Sequence, residues 1–224
     1  MSVTGIALIL FLTFHCAMNI VALFSGKAYN AICELLGANW YAVAATLGLA
    51  ALAVIHIVYA FILTAQNRTA RGDNRYEVAT TVNAGKVEWA SKNMLVLGII
   101  ILLGLLLHLF NFWYNMMFAE LLHISTPIPP THGFELIIQT FSCPVYVVLY
   151  VIWIVAIWFH LSHGFWSAMQ TLGWSGKTWL CRWKTIGFIY VTVLMLMFLV
   201  VVLAFAFGCA PSLCDGSCGH SMCA

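Results

Sequence analysis

The sequence predicts an all-α integral membrane protein in which five transmembrane helices form one bundle. Of its 224 residues, 63% are hydrophobic and only 7% are charged, and the mean hydropathy is +0.99. These values lie far outside the range of soluble domains. Five apolar runs are long enough to cross about 30 Å of hydrocarbon. Because a bilayer offers no water to exposed backbone groups, these runs should be helices.

The five predicted helices cover residues 3–24, 40–63, 94–118, 136–165 and 186–207. The first run has no basic segment before it and no clear small-residue cleavage site after it, so we expect it to be retained. Residues 1–208 should form the transmembrane domain. Residues 209–224 form a cysteine-rich tail whose pattern allows disulfides, lipid attachment, a small metal site or a variable extension without function. The cysteines and histidine of this tail are Cys209, Cys214, Cys218, Cys223 and His220.

The distribution of basic residues predicts the orientation. Eight of the nine Lys and Arg lie between the second and third runs or between the fourth and fifth, and only Lys27 lies on the opposite side. Because cytoplasmic loops carry the excess of basic residues, the N-terminus and these two loops should face the cytoplasm. Loops 25–39 and 119–135 and the C-terminal tail should then face outward.

Each of the first four runs carries a histidine toward its C-terminal end: His15, His56, His108 and His160. Consecutive helices run in opposite directions, so His15 and His108 should share one level and His56 and His160 another. At a helical rise of about 1.5 Å per residue, the two levels should lie about 10–14 Å apart along the membrane normal. Two levels of paired imidazoles predict two bis-histidine haems stacked across the membrane, held by the first four helices.

Other interpretations of the histidines remain open. A single histidine in a membrane helix is about as often a packing residue, hydrogen-bonded to a neighbouring helix, as it is a ligand. A proton relay would normally include carboxylates, and the interiors of the first four runs contain none. Two axial histidines leave no open coordination position on iron, so electron transfer is the expected chemistry. The small residues Ala60, Gly104 and Gly164, one turn from three of the histidines, would admit a flat macrocycle.

Three sequence features resemble one family. They are the run 56–59, the run 160–174 with its His-Leu-Ser-His-Gly start and Gly-Trp end, and His15 followed by Asn19. Together they resemble the dihaem cytochrome b membrane subunit of succinate:menaquinone oxidoreductases and menaquinol:fumarate reductases, over essentially all five helices. The resemblance implies that His56 and His160 ligate the proximal haem b and that His15 and His108 ligate the distal one.

The resemblance also implies the partner subunits and the membrane of the chain. It would anchor a flavoprotein subunit with covalent FAD and an iron–sulfur subunit on the cytoplasmic face of a bacterial inner membrane, in a complex that is dimeric by resemblance only. It would transfer electrons to or from menaquinone and would not convert succinate or fumarate alone. No nucleic-acid partner is expected.

Three further residues are candidate contacts of the haems. His163 would lie behind the proximal ligand or contact a propionate, with local packing as the alternative. Arg68 and Lys92 are candidate propionate partners, and their alternative role is to set topology and meet lipid headgroups.

Menaquinol oxidation needs a proton acceptor beside the distal haem. Glu34, Glu120 and Glu135 lie on the predicted outer side. The resemblance favours Glu34, since the family uses a glutamate between its first two helices. The alternative is that Glu34 is an acidic residue exposed to water at the membrane interface.

Two other functions stay open. The chain could be the haem b subunit of another quinone-coupled respiratory enzyme, which its soluble partners would distinguish. It could also be a haem-free transporter or structural anchor, in which case the purified protein would be colourless.

Overall fold

The computed structural model describes residues 1–37, 39–71 and 89–213, with the side chains of Arg71 and Lys177 left out. Regular structure in this part of the chain is entirely helical. Its α-helices are α1 (Ser2–Phe24), α2 (Gly26–Leu35), α3 (Trp40–Arg71), α4 (Trp89–Lys92), α5 (Met94–His108), α6 (Ala119–Leu121), α7 (Gly133–Phe141), α8 (Pro144–Thr171) and α9 (Lys177–Ala206). A π-helical segment, Leu109–Phe118, joins α5 to α6, and a 3-10 turn, Pro211–Leu213, follows α9.

Five candidate membrane spans are helical, long and apolar enough to cross a membrane: Ser2–Phe24, Trp40–Ala70, Met94–Leu121, Pro144–Thr171 and Thr178–Leu213, the last of which includes the end of α9 and the 3-10 turn after it. The predicted number of transmembrane helices is therefore confirmed, and the chain is a multi-pass membrane protein. Arg75, Lys86 and the tail residues Cys214, Cys218, His220 and Cys223 lie outside the described residues.

The fourth helix begins later than predicted. The apolar run 136–165 is divided into α7 and α8, and the helix that crosses the bundle starts at Pro144. Proline lacks a backbone N–H and disfavours the helical conformation of the residue before it, which accounts for the extended backbone of Cys143 (φ −92°, ψ 114°). Pro144 therefore occupies the first turn of a new helix, the position where proline is best tolerated.

The loop predicted at residues 25–39 contains a helix. Ser25 adopts an extended backbone, and its hydroxyl accepts a hydrogen bond from the amide of Ala28, which caps the N-terminus of α2. Gly26 and Cys33 are buried, whereas Glu34 and Leu35 are exposed. α2 is thus a short amphipathic helix beside the bundle.

Two further boundaries differ from the predicted ones because helical turns continue past the apolar runs. α3 extends to Arg71 rather than to residue 63, and α9 begins at Lys177 rather than at residue 186. These extra turns contain the good helix formers Ala, Gln, Arg and Lys, and their charged and polar members are unfavourable in hydrocarbon, so hydropathy alone did not include them.

The core of the bundle lies between α8, α9 and α1. α9 packs more extensively on α8 than on any other helix, and Val191, Leu194, Ile154 and Cys16 are buried there. α3 packs far more loosely, and Ala42 is its one buried residue among those described.

The two ends of the bundle differ in charge. The acidic end is formed by α2, α6 and α7 and carries Glu34, Glu120 and Glu135. The basic end is formed by the C-terminus of α3, by α4 and by the N-terminus of α9, and it carries Arg68, Lys92, Arg182 and Lys184.

Candidate cofactor site: two histidine pairs

The structure brings the four membrane histidines together as two pairs. The ring centroids of His15 (α1) and His108 (α5) are 5.7 Å apart, with an angle of 85° between the rings. Those of His56 (α3) and His160 (α8) are 6.4 Å apart, with an angle of 64°. These are the pairs that helix direction predicts, while their role as ligands stays a prediction.

The pairs lie at two levels of the bundle. A methyl group on Gly5 of α1 would lie 3.6 Å from Cε1 of His56, whereas His15 lies ten residues, about 15 Å, further along the same helix. On α8, Trp153 contacts His108 (centroids 5.5 Å), and His160 follows it by seven residues, about 10 Å. The His15/His108 pair is the one nearer the acidic end.

The protonation of His56 is set by Thr4. The Thr4 hydroxyl donates its single proton to the carbonyl of Met1 (2.8 Å) and lies 3.1 Å from Nδ1 of His56. Its oxygen therefore accepts from an N–H at Nδ1. The lone pair of His56 is then on Nε2, which is the form an imidazole needs to bind a metal through that nitrogen.

The protonation of His15 is set by Asn19. The amide nitrogen of Asn19 lies 2.7 Å from the His15 carbonyl and 3.3 Å from Nε2 of His15. This nitrogen only donates, so Nε2 accepts and the ring proton is on Nδ1. Two unrelated partners thus select the same tautomer in one histidine of each pair.

The other two histidines lack such partners. Nδ1 of His108 and Nδ1 of His160 are buried without a hydrogen bond in the part of the chain that the structure describes. By contrast, Nδ1 of His56 is held by the Thr4 hydroxyl, as the second nitrogen of a metal-binding histidine usually is. Buried imidazoles without partners are costly unless another group uses them.

The surroundings of the His56/His160 pair include several small residues. The less exposed side of α3 carries Ala53 and Ala60 next to His56, together with the larger Leu52 and Ile57. A methyl group on Gly164, one turn beyond His160, would meet nothing within 4 Å. The expected role of Ala60 and Gly164 in admitting a macrocycle is compatible with these positions.

The surroundings of the His15/His108 pair are filled by aromatic rings. Phe11 stacks on His15 (5.5 Å, 16°), and Phe112 and Trp153 lie 5.1 and 5.5 Å from His108. The expectation that Gly104 admits a macrocycle is wrong for this structure, because the Trp153 indole occupies the position of a Gly104 side chain. The indole is held there by a hydrogen bond from its Nε1 to the carbonyl of Ile101 (3.0 Å).

The two pairs therefore fit a haem to different degrees. An iron bound to two imidazoles at about 2 Å from each nitrogen separates the ring centroids by about 6 Å, and both pairs lie near that value. A flat macrocycle has no room at His15 and His108 unless Trp153 or a neighbouring ring moves, whereas Gly164, one turn beyond His160, has open space around it. In residues 1–37, 39–71 and 89–213 no three His, Cys, Asp or Glu side chains converge as a metal site.

The other predicted contacts lie toward the basic end. His163 is half-buried and packs edge-on against Trp166 (4.8 Å, 76°), whose ring lies 4.2 Å from Nζ of Lys184. Arg68 is exposed and lies about 18 Å beyond His56 along α3. Lys92 is exposed on α4, which reaches α8 through the contact of Trp89 with Phe159, the neighbour of His160 (5.1 Å).

An open depression of about 600 Å³ lies at the acidic end. Its lining includes both Glu34 and Glu120, together with Asn39 and Tyr41. Glu135 is bonded elsewhere, since it accepts from the Asn30 amide (2.9 Å) and lies 3.9 Å from Nδ1 of His132. Of the three predicted carboxylates, Glu34 and Glu120 thus share one depression.

Sequence reasoning missed the partners of the histidines. Thr4 is 52 residues from His56, and Tyr29, which bonds Asn19, was read as part of a loop. Only the Asn19 position, one turn from His15, is visible in the sequence as a local signal.

Comparison of the chain with family models, with curated proteins and with solved structures gives no match.

Proposed function

We propose that the chain is the cytochrome b membrane subunit of a quinone-linked respiratory complex, with one haem between His56 and His160 and a second between His15 and His108. The observation that carries this proposal is the meeting of four helices in two facing histidine pairs about 10–15 Å apart along the membrane normal. That spacing suits electron transfer between two stacked groups.

When bound, a haem would supply one-electron redox chemistry. The residues of the chain then bind and orient it. Thr4 leaves Nε2 of His56 with a lone pair, whereas the Asn19 amide, which donates to Nε2 of His15, would have to turn away before that nitrogen could bind iron.

We further propose that the quinone is menaquinone and that it reacts at the acidic end. Glu34 lines the open depression there and is exposed, so it can accept a proton from a bound quinol and release it to water. In this proposal His15 and His108, the pair nearer that end, would hold the haem closest to the quinone.

The proposed partners belong at the basic end, in line with the resemblance to succinate:menaquinone oxidoreductases and menaquinol:fumarate reductases. An iron–sulfur subunit would dock on Arg68, Trp89 and Arg182, which are exposed there, and would carry the flavoprotein. This end would face the bacterial cytoplasm, with the N-terminus inside and the C-terminus outside.

Reduction of the purified complex by a soluble menaquinol analogue tests this function. The haem b absorbance should rise on adding quinol in the wild type, and Glu34→Gln should slow that rise about 100-fold, the size expected for loss of a proton acceptor. Dithionite should reduce both proteins equally.

Glu135→Gln is the matched control, because Glu135 is at the same end but is bonded to Asn30 rather than lining the depression. It should be reduced by quinol at the wild-type rate. Equal quinol rates in wild type and Glu34→Gln would remove Glu34 from the proposal. A purified chain that binds no haem would overturn the proposal as a whole.

A further inference from the structure

One face of α9 is an exposed apolar stripe that begins at an arginine. Its residues recur every three or four positions, so they lie on one side of the helix, and all are exposed: Arg182, Ile186, Ile189, Val193, Leu196 and Val200. From Ile186 to Leu196 the helix rises about 15 Å, the depth of one leaflet of a bilayer about 30 Å thick. The stripe therefore has the length and polarity of a phospholipid, with a positive charge at the level of the headgroup.

The Arg182 guanidinium is held in place by a row of tryptophans. Its Cζ lies 5.1 Å from the ring centroid of Trp179, and Trp179 lies against Trp183 (5.8 Å, 34°). Nε1 of Trp183 in turn donates to the carbonyl of Trp174 (2.9 Å). A guanidinium stacked on a ring keeps its N–H edges free to donate, and less conformational freedom is lost when it binds an anion.

The guanidinium borders an open depression at the start of the stripe. The depression has a volume of about 350 Å³ and is lined by Cys181, Arg182, Thr185 and Ile186. All three glutamates in the described part of the chain lie at the opposite, acidic end, so none of them neutralises Arg182. The depression thus combines a positive group with an apolar wall.

We infer that this depression binds one anionic phospholipid: Arg182 contacts the phosphate, and an acyl chain lies along Ile186, Ile189 and Val193. Charge complementarity selects the headgroup, because a zwitterionic lipid would bring its own cation to a positive end of the bundle. Tryptophans such as Trp179 are also suited to the headgroup level of a membrane.

The inferred lipid site is independent of any haem. It does affect the proposed docking of an iron–sulfur subunit. Of the three residues proposed to meet that subunit, Arg182 would bind the lipid, and Arg68 and Trp89 would remain for the subunit.

Native mass spectrometry of the full-length protein, purified with any subunits that it retains, tests the inference. The probes are dioleoyl phosphatidylglycerol and dioleoyl phosphatidylcholine. The wild type should retain one phosphatidylglycerol in preference to phosphatidylcholine. Arg182→Gln should weaken phosphatidylglycerol binding about fivefold, as expected for one basic residue at an anionic surface, and should leave phosphatidylcholine binding unchanged. Both proteins should unfold at the same temperature in lipid-free detergent, because Arg182 is exposed.

Lys184→Gln is the matched control. It removes the same charge two residues away, but Lys184 lies on the side of α9 that faces α8, with its Nζ 4.2 Å from the ring of Trp166. It should bind phosphatidylglycerol as the wild type does. Equal weakening in both variants would mean that net charge alone attracts the lipid, and would overturn the inference, as would a wild type without a preference for phosphatidylglycerol.

Two further outcomes distinguish the lipid from other ligands of Arg182. Glycerol 3-phosphate carries the phosphate without an acyl chain, so an excess of it should not displace the bound phosphatidylglycerol. Displacement would assign the depression to a free phosphate and would overturn the inference. It would also be overturned if Arg182→Gln loses a copurifying subunit but keeps the preference for phosphatidylglycerol, since Arg182 would then belong to a protein interface.

Discussion

The two histidine pairs have similar ring separations and very different surroundings. His56 of the loosely packed helix α3 faces His160 of α8, and the open position of Gly164 lies one turn beyond His160. His15 and His108 are packed among aromatic rings, and an indole occupies the position beside Gly104. The difference teaches that the separation of two imidazoles and the space beside them are separate properties, since the separations are similar and only the His15/His108 pair is enclosed by aromatic rings.

The largest expected effect is the loss of a ligand. His160→Ala should lower the haem content from two to one per chain, and His15→Ala should do the same for the other haem, because a missing axial ligand leaves the iron weakly held. The pyridine haemochrome assay measures this. His123→Ala is the control, because His123 is exposed and outside both pairs, and it should keep two haems. Unchanged haem in both pair variants would contradict the assignment.

The next largest effect is a difference in stability between two glycine variants, one beside each histidine pair. Gly104→Ala forces Trp153 from its place and should reduce stability by about 1–3 kcal/mol, as overpacking does. Gly164→Ala meets open space and should be neutral or slightly stabilising in the haem-free chain. Thermal unfolding in detergent compares the two. Equal losses of stability would show that the two surroundings do not differ as described.

A smaller effect is expected from the partner of His56. Thr4→Val removes the hydroxyl that accepts from Nδ1 and should shift one haem potential by an amount equivalent to about 1 kcal/mol. Redox titration measures it, with Thr13→Val as the control on the same helix. A shift in the second haem as well would mean that Thr4 acts through the fold rather than through His56.

The smallest effect concerns Cys33 on α2. Burial raises the pKa of its thiol to about 11, so the folded state favours the neutral form. This stabilisation is complete below the ordinary thiol pKa of about 9 and is lost as the pH rises through about 11. Iodoacetamide should label exposed Cys181 at neutral pH and Cys33 only near pH 11 or after denaturation. Labelling of folded Cys33 at pH 8 would contradict its burial.

The sequence was sufficient for the features that depend on composition and helix direction. Apolar runs predicted five spans, and antiparallel order predicted which histidines meet. Pro144 carried the signal for the start of α8, but hydropathy alone extended that helix back to residue 136. The serine cap at Ser25 likewise marked α2.

The remaining features arise from contacts between residues distant in the chain. Thr4 meets His56, and Trp153 fills the space beside Gly104, through packing that no local pattern encodes. The π-helical turns after His108 are accompanied by local contacts instead, since the Asn115 side-chain amide donates to the carbonyls of Phe110 and Asn111. Space around a ligand is therefore the property that sequence reasoning predicts least well.

Haem content per chain of the purified wild-type protein, by pyridine haemochrome assay, tests the central claim most directly. The account predicts two haems b per chain, with two midpoint potentials in a redox titration. One haem that is lost in His160→Ala but kept in His15→Ala would mean that the closely packed His15/His108 pair binds none. A colourless protein would contradict the account and leave a haem-free membrane anchor or transporter.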